Sequence, residues 1–352
     1  MTPPPFTVVL IVPTGIGAAI GGYAGDALPV ARAIAQISDQ VITHPNVLNG
    51  AQLYWSLPNL YYVEGYGLDQ FAAKHWGLRP VHQNRVGLIF DQGMEPELQL
   101  RHLQAAEAVK TTLGVNIGDY IVTDTPLKVQ LQTAPSGASW GTIGQPDSLL
   151  RAAETLIEKG KVSAIAVVAR FPDDMEAIAL ANYRQGKGVD ALAGAEAMIS
   201  HLVVREFQIP CAHAPALTPL PVDASVSPRA AAEELGYTFL PCVLVGLSRA
   251  PQFVNSPDSP SDFTAEAVDA VVIPANAAGS SAVLSWSQSR AQIITVKDNH
   301  TTMEVPPESL GIKTISVQSY LEALGVLVAQ RSGIHPDALR LPVSSLCRLN
   351  EN

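Results

Sequence analysis

Basic residues are scarce in this chain of 352 residues, in which 22 Lys and Arg stand against 32 Asp and Glu for a formal net charge of −10. With no cationic excess to neutralise phosphates along a polymer, nucleic-acid binding is disfavoured, and the acidity serves solubility. Charge of either sign is sparse, at 15% against the roughly 25% usual for globular proteins. Much of the surface must therefore be covered, by helices on both faces of a parallel sheet, by a large interface between copies of the chain, or by both; a homo-oligomer is expected. Cysteine is nearly absent, and Cys211, Cys242 and Cys347 share no CxxC or metal-ligand spacing. Reduced thiols and a cytoplasmic location follow, rather than a disulfide scaffold. No run reaches the ~20 apolar residues that cross a bilayer, since Leu321–Ala329 is stopped by Gln330 and Arg331. The amino terminus, MTPPPFTVVLIVP, lacks the basic region and cleavage site of a signal peptide, so it reads as a first strand and no membrane partner is expected. A Walker A loop, a GxSxG elbow and an internal repeat are all missing.

What the chain does contain is a rhythm of Val- and Ile-rich runs separated by helix-compatible segments, the pattern of an α/β fold with a mainly parallel sheet and Rossmann-like units. The strand candidates are Thr7–Val12, Gln40–Thr43, Val86–Phe90, Tyr120–Thr123, Ser163–Val168, Phe239–Val245, Ala270–Ile273 and Gln292–Val296. Unbroken apolar runs, rather than alternating ones, predict strands covered on both sides. Helices are predicted over Leu28–Ser38, Glu97–Leu113, Asp147–Lys159, Met175–Gln185, Ala191–Val204, Ala230–Leu235 and Gln318–Arg331, with Pro146-Asp147-Ser148 and Ser227-Pro228 through Glu233 as start signals. Glycine-rich Thr133–Gln145, after a possible strand at Leu127–Gln132, and proline-rich Ile209–Ser227 and Ser248–Phe263 are expected to be loops. The organisation expected is an amino-terminal α/β domain over 1–145, a central segment over 146–260, and a carboxy-terminal segment over 261–352 that could complete the first sheet.

Ligands of parallel sheets bind where the strands end. The first strand runs into a glycine-rich loop, Pro13–Asp26, whose Thr14, Gly15, Gly17 and Gly21 could bring backbone N–H groups to an anion. Its Gly-x-Gly-x-x-x-Gly spacing is one residue longer than the dinucleotide fingerprint, and the second strand ends in Thr43-His44 instead of an acidic residue, which weakens the case for NAD. Thr43–Ala51 (THPNVLNGA) offers His44 for acid/base transfer and Asn46 for hydrogen bonding. Late in the chain, Asn276, Gly279 and Ser280 repeat the strand, turn and helix-start logic, and Asp298, Asn299 and Thr301 follow another strand. Asp91, after the third strand, and Asp298 join His44 as candidate catalytic groups, while helix capping and solvated turns account for the same residues in bland terms. No metal is expected; His201, Cys211 and His213 lie near one another in sequence but match no zinc spacing.

The first loop, together with THPNVLNGA, GAEAMISH (Gly194–His201), IPCAHAPA (Ile209–Ala216) and PANAAGSSAV (Pro274–Val283), resembles an uncharacterised protein family of cyanobacteria and chloroplasts over most of the chain. The resemblance implies a cytoplasmic or stromal protein of photosynthetic lineage, and it carries no reaction and no cofactor. The residues themselves suggest an enzyme acting on a small anionic metabolite, a phosphorylated one included, with transferase or hydrolase chemistry ahead of NAD-dependent dehydrogenation. A noncatalytic nucleotide- or metabolite-binding regulator and an oligomeric assembly protein are the alternatives.

Overall fold

The computed structural model describes residues 4–50, 55–173, 177–235, 238–343, 345 and 346. Ala51, Met175 and Cys347, named above, lie outside them. The first half runs β1 (Thr7–Leu10), α1 (Leu28–Ile37), β2 (Gln40–Thr43), α2 (Pro45–Leu48), β3 (Leu60–Tyr62), α3 (Gly65–Ala72), β4 (Gly77–Arg79), β5 (Val86–Phe90), α4 (Pro96–Leu113), β6 (Ile117–Val122), β7 (Val129–Thr133), β8 (Ser139–Ile143) and α5 (Pro146–Glu158). The second half runs β9 (Ala164–Arg170), α6 (Ala177–Arg184), α7 (Ala193–Phe207), β10 (Cys211–Ala216), α8 (Ala231–Leu235), α9 (Leu240–Ser248), β11 (Gln252–Val254), β12 (Val268–Pro274), α10 (Ser281–Ser287), β13 (Gln292–Val296), β14 (Ile315–Val317) and α11 (Tyr320–Arg331).

Two parallel sheets organise these elements. The first has the order β14-β13-β12-β1-β2-β3 and the second the order β10-β9-β5-β6; β4 with β11 and β7 with β8 form separate antiparallel pairs. Thus β12, β13 and β14 extend the sheet begun by β1, β2 and β3, while β5 and β6 pair with strands that follow residue 160. β1 lies between β12 and β2, its Val9 opposite both Val271 and Ile42. Its four residues are all buried, as are all five of β5, because helices cover both faces of each sheet. Val8, Leu10, Val272 and Ile294 pack under α1 and α11. Their neighbours Val9, Val271 and Ile293 face the other way, into a core shared with α3, α10, α5, α7 and one face of the second sheet. α4 and α9 close the outer face of that second sheet. The two sheets therefore share one apolar interior, at whose centre Phe71 of α3 meets Trp286 of α10 edge-on at 6.0 Å between ring centroids.

Four segments differ from expectation: strand β11 (Gln252–Val254), paired with β4, lies within Ser248–Phe263, expected as a loop, and the other three each show a physical reason. Phe239–Val245, expected as a strand, belongs to helix α9, whose residues are apolar on every side. Such a run fits a buried helix as well as a buried strand, and Pro241 in its first turn is placed where a helix tolerates it. Ser139–Ile143, expected as loop, is strand β8: a Cβ on Gly141 would lie 2.4 Å from that of Ala195, so this glycine marks the close approach of α7 to the strand rather than a turn. Cys211–Ala216, within the proline-rich stretch, is β10 at the sheet edge, where Pro215 forfeits no ladder bond that the sheet needs.

If the α3–α10 layer joins the two sheets into one cooperative unit, Phe71→Ala will cost about 3–5 kcal/mol in urea denaturation, with a single transition and an unchanged m-value. A loss below about 1 kcal/mol or separate unfolding of the two sheets would contradict this.

Candidate functional site

The carboxyl ends of β1 and β2 and the N-termini of α3 and α10 meet α7 and β10 across a cavity of about 300 Å³. Thr14 comes from the loop after β1, His44 and Asn46 follow β2, and Ser280 caps α10 by accepting from the Val283 N–H at 3.3 Å. The opposite wall carries Asp190, Glu196, Ser200, His201, His213 and Glu233. No lysine or arginine lines it among the described residues.

His44 is 8% exposed, and its Nε2 accepts the Val12 N–H at 3.0 Å. That bond places the ring proton on Nδ1, and burial pushes the imidazole down to about 4, so His44 enters the cavity neutral, as a hydrogen-bond donor. Asn46 uses its amide to hold the carbonyls of Val12 at 2.8 Å and Gly21 at 2.9 Å, fixing the glycine-rich loop. Gly15, with φ +71°, also needs to be glycine because a Cβ there would lie 2.6 Å from Ser139 Oγ, where β8 crosses the loop. Gly15, Gly17 and Gly21 line a small recess of about 20 Å³ beside the main cavity, which shares Thr14, Asn46 and Asp190.

The loop's amides are engaged, but by oxygens of the protein's own side chains. The Gly21 N–H donates to Asp26, the Ala24 N–H donates to Glu233 Oε1 at 2.9 Å, and Asn299 Oδ1 accepts from the Ile20 N–H at 2.9 Å. Asn299, wholly buried, spends its amide on the Ile20 carbonyl and the Tyr320 oxygen and so acts as a clamp. Asn276 and Thr301 hydrogen-bond to each other, at 2.9 Å from the hydroxyl and 2.8 Å to the Thr301 carbonyl, and Gly279 packs on Val305; none of the three lines the cavity. Asp91 is buried at the end of β5, where it accepts the N–H groups of Gly93, Leu127 and Arg170. Asp298 is exposed and bonded to Gln318. Of the thirteen positions singled out by sequence, the main cavity gathers Thr14, His44, Asn46 and Ser280.

The residues that sequence reasoning passed over are the acidic ones. Glu233 Oε1 accepts from Tyr183 Oη at 2.7 Å as well as from Ala24, and burial followed by the charge of Asp190 pushes its carboxyl up to about 7. Glu196 is raised well above the ordinary range by burial, then by Asp190 and Glu233, and no group among the described residues hydrogen-bonds to it. Asp190 accepts the Leu192 N–H at 2.9 Å and is also raised, by burial. His213 holds Ser200 Oγ at 3.0 Å from Nδ1, stays 3.8 Å from Glu196, and is pushed down to about 3 by burial and by His201. Glu64 caps α3 by accepting from Tyr66 and Gly67 while its other oxygen meets His201 Nδ1 at 2.7 Å. Burial lowers His201, but the Glu64 hydrogen bond and charge outweigh it, and the net shift is upward. The one sequence signal for this wall was GAEAMISH, in which Glu196 and Ser200 stand four residues apart on one face of an otherwise apolar helix. Among the described residues no group of three or more His, Cys, Asp or Glu is arranged to hold a metal, and Cys211 is a buried free thiol.

Because the folded chain keeps protons on Glu233 that the unfolded chain releases between roughly pH 4.5 and 7, this group's contribution to stability falls as pH rises through that window. His44 and His213 act in the opposite sense, being neutral when folded, but they are common to wild type and variant and cancel in a difference. Glu233→Gln, which keeps an acceptor oxygen for Ala24 and Tyr183, should therefore gain stability relative to wild type on going from pH 5 to pH 8, by on the order of 1–3 kcal/mol. Paired thermal melts across that range check it, and a difference that is flat or of opposite slope would contradict the assignment.

No solved structure matches this chain. A cyanobacterial relative, the protein named "Uncharacterized lipoprotein syc1174_c" from Synechococcus sp. (strain ATCC 27144 / PCC 6301 / SAUG 1402/1), is 58% identical over 347 residues, 98% of this chain and 96% of the relative. Among the described residues no helix is long and apolar enough to cross a membrane. The family model described as "Protein of unknown function (DUF3326)" matches residues 7–340, and the chain belongs to that family.

Proposed function

We propose that this protein is an enzyme that moves protons on a small neutral or cationic metabolite held between the carboxyl edge of the first sheet and α7. The observation that carries this reading is the carboxyl wall: Asp190, Glu196 and Glu233 line one cavity with shifted proton affinities, and among the described residues no lysine or arginine lines that cavity. Crowded carboxyl groups cannot all ionise, so some stay protonated near neutral pH, the condition for a general acid beside a general base. Glu233, titrating near 7, suits either task. His44 would donate from Nδ1, and the Glu64–His201 ion pair would supply the site's fixed polarity.

Two features turn the reading away from the anionic metabolite, phosphorylated or not, that the glycine-rich loop suggests. The loop's Gly21 and Ala24 amides are committed to Asp26 and Glu233, and an anion in the cavity would meet carboxyl groups while the one raised histidine, His201, is already held by Glu64. The same commitments argue against NAD, whose pyrophosphate needs free amides at such a turn. A serine hydrolase is less well served: Ser200 and His213 are in contact, but Ser200 lies mid-helix in α7, where backbone N–H groups are already paired and provide no oxyanion hole.

Incubating the protein with a metabolite extract and following it by untargeted mass spectrometry should show one compound consumed by wild type and spared by Glu233→Gln, with turnover reduced about 10²–10⁴-fold. His44→Ala should lower turnover while leaving the fold intact. Equal consumption by wild type and Glu233→Gln would reject the carboxyl mechanism, and ligand-induced thermal stabilisation without any product would replace it with a regulatory binding protein.

A further inference from the structure

The carboxyl wall has two sides. Asp190, Glu196, Glu233 and Phe239 line the polar cavity and also a second cavity of about 130 Å³, bounded by Leu180, Val189, Leu192, Leu217 and Leu220. The second cavity contains one basic residue among the described ones, Arg184, and it is tied to Glu234 at 2.8 Å and to Asp223 at 3.7 Å. Neither chamber therefore offers the three carboxyl groups a free cation. Among the described residues nothing donates a hydrogen bond to the Glu196 carboxyl, which stands 3.8 Å from His213 Nε2, and His44, 8% exposed, lines the polar chamber while its Nε2 accepts the Val12 N–H.

We propose that the site is built for an organic ammonium ion, whose cationic head rests on Glu196, Glu233 and Asp190 and whose hydrocarbon part fills the leucine-lined chamber. This deepens the acid/base reading and rests on it. An ammonium group supplies three donors and the missing positive charge, which is what unpaired buried carboxyl groups require. The leucines require a substituent that water solvates poorly, and an apolar cavity of comparable size accommodates a benzene ring, so the apolar part is on the order of six carbons. The polar chamber, with Asn46, Asn49, Ser200 and His44, leaves room for further hydroxyl or carbonyl groups on the same molecule.

Isothermal titration calorimetry of the full chain at pH 8 with n-hexylamine, methylamine, hexan-1-ol and hexanoate tests this. Hexylamine should bind about tenfold or more tightly than methylamine, and hexanol and hexanoate should bind more weakly than hexylamine. Glu196→Gln should weaken both amines, whereas Leu217→Gln should narrow the gap between them. Leu220→Gln, at a half-exposed position where folding is not at risk, should do the same. Equal binding of the two amines, or a gap that neither leucine variant narrows, would overturn the apolar chamber while leaving the proton-transfer reading standing. Preference for hexanoate would overturn the ammonium assignment itself. The proton-transfer reading fails separately, if Glu233→Gln consumes the same metabolites as wild type.

Discussion

Burying Asp190, Glu196 and Glu233 in one wall costs folding free energy, because charged carboxylates lose hydration and repel one another where the dielectric is low. The surroundings show how that cost is met. The Ala24 N–H and the Tyr183 hydroxyl take Glu233, the Leu192 N–H takes Asp190, and shifted proton affinities remove part of the charge. Tyr183 in turn stacks on Tyr23 at 4.4 Å, and Arg229 lies over the Tyr23 ring while bonding Asp26 and the Ala19 carbonyl. The glycine-rich loop, α6 and α8 are thereby locked to one another through the same acidic groups that face the cavity.

The fold makes this arrangement possible by bringing together two sheets that are distant in sequence. β1 and β2 deliver Thr14, His44 and Asn46 from one side, and α7 and β10 deliver Glu196, Ser200, His201 and His213 from the other. α3 joins them: its cap, Glu64, reaches across to His201 of α7, so one carboxylate both starts a helix and ties the two sheet systems at the site. A parallel sheet placing polar residues beyond its strand ends is common to many α/β proteins. The opposing wall of carboxyl groups comes from α7, α8 and the segment that leads into α7.

Most of the fold was legible because buried parallel strands are written as short unbroken apolar runs, and Gln40–Thr43, Val86–Phe90 and Gln292–Val296 match their strands residue for residue. Where tertiary contact overrode local signal, the reading failed. Gly141 and Pro215 read locally as loop markers, yet one admits a helix against a strand and the other sits on a sheet edge. The site was half legible. His44 and Asn46 stand out beyond an obvious strand, but Asp190, Glu196 and Glu233 lie in separate segments whose convergence no spacing records, and locally Glu233 reads as a helix-start signal. The glycine-rich loop reads as a cradle for a ligand anion, whereas its Gly21 and Ala24 amides hold Asp26 and Glu233, a pairing that no spacing in the sequence records.

The central claim is that a carboxyl group in this wall holds its proton near neutral pH. Carbon-13 NMR of protein labelled at the glutamate side-chain carboxyls, titrated from pH 4 to 9, measures that directly. A glutamate resonance titrating near 7, and missing from the Glu233→Gln spectrum, is the predicted result. If every glutamate carboxyl has finished titrating by about pH 6, Glu196 and Glu233 are both ionised at neutral pH and the account is wrong.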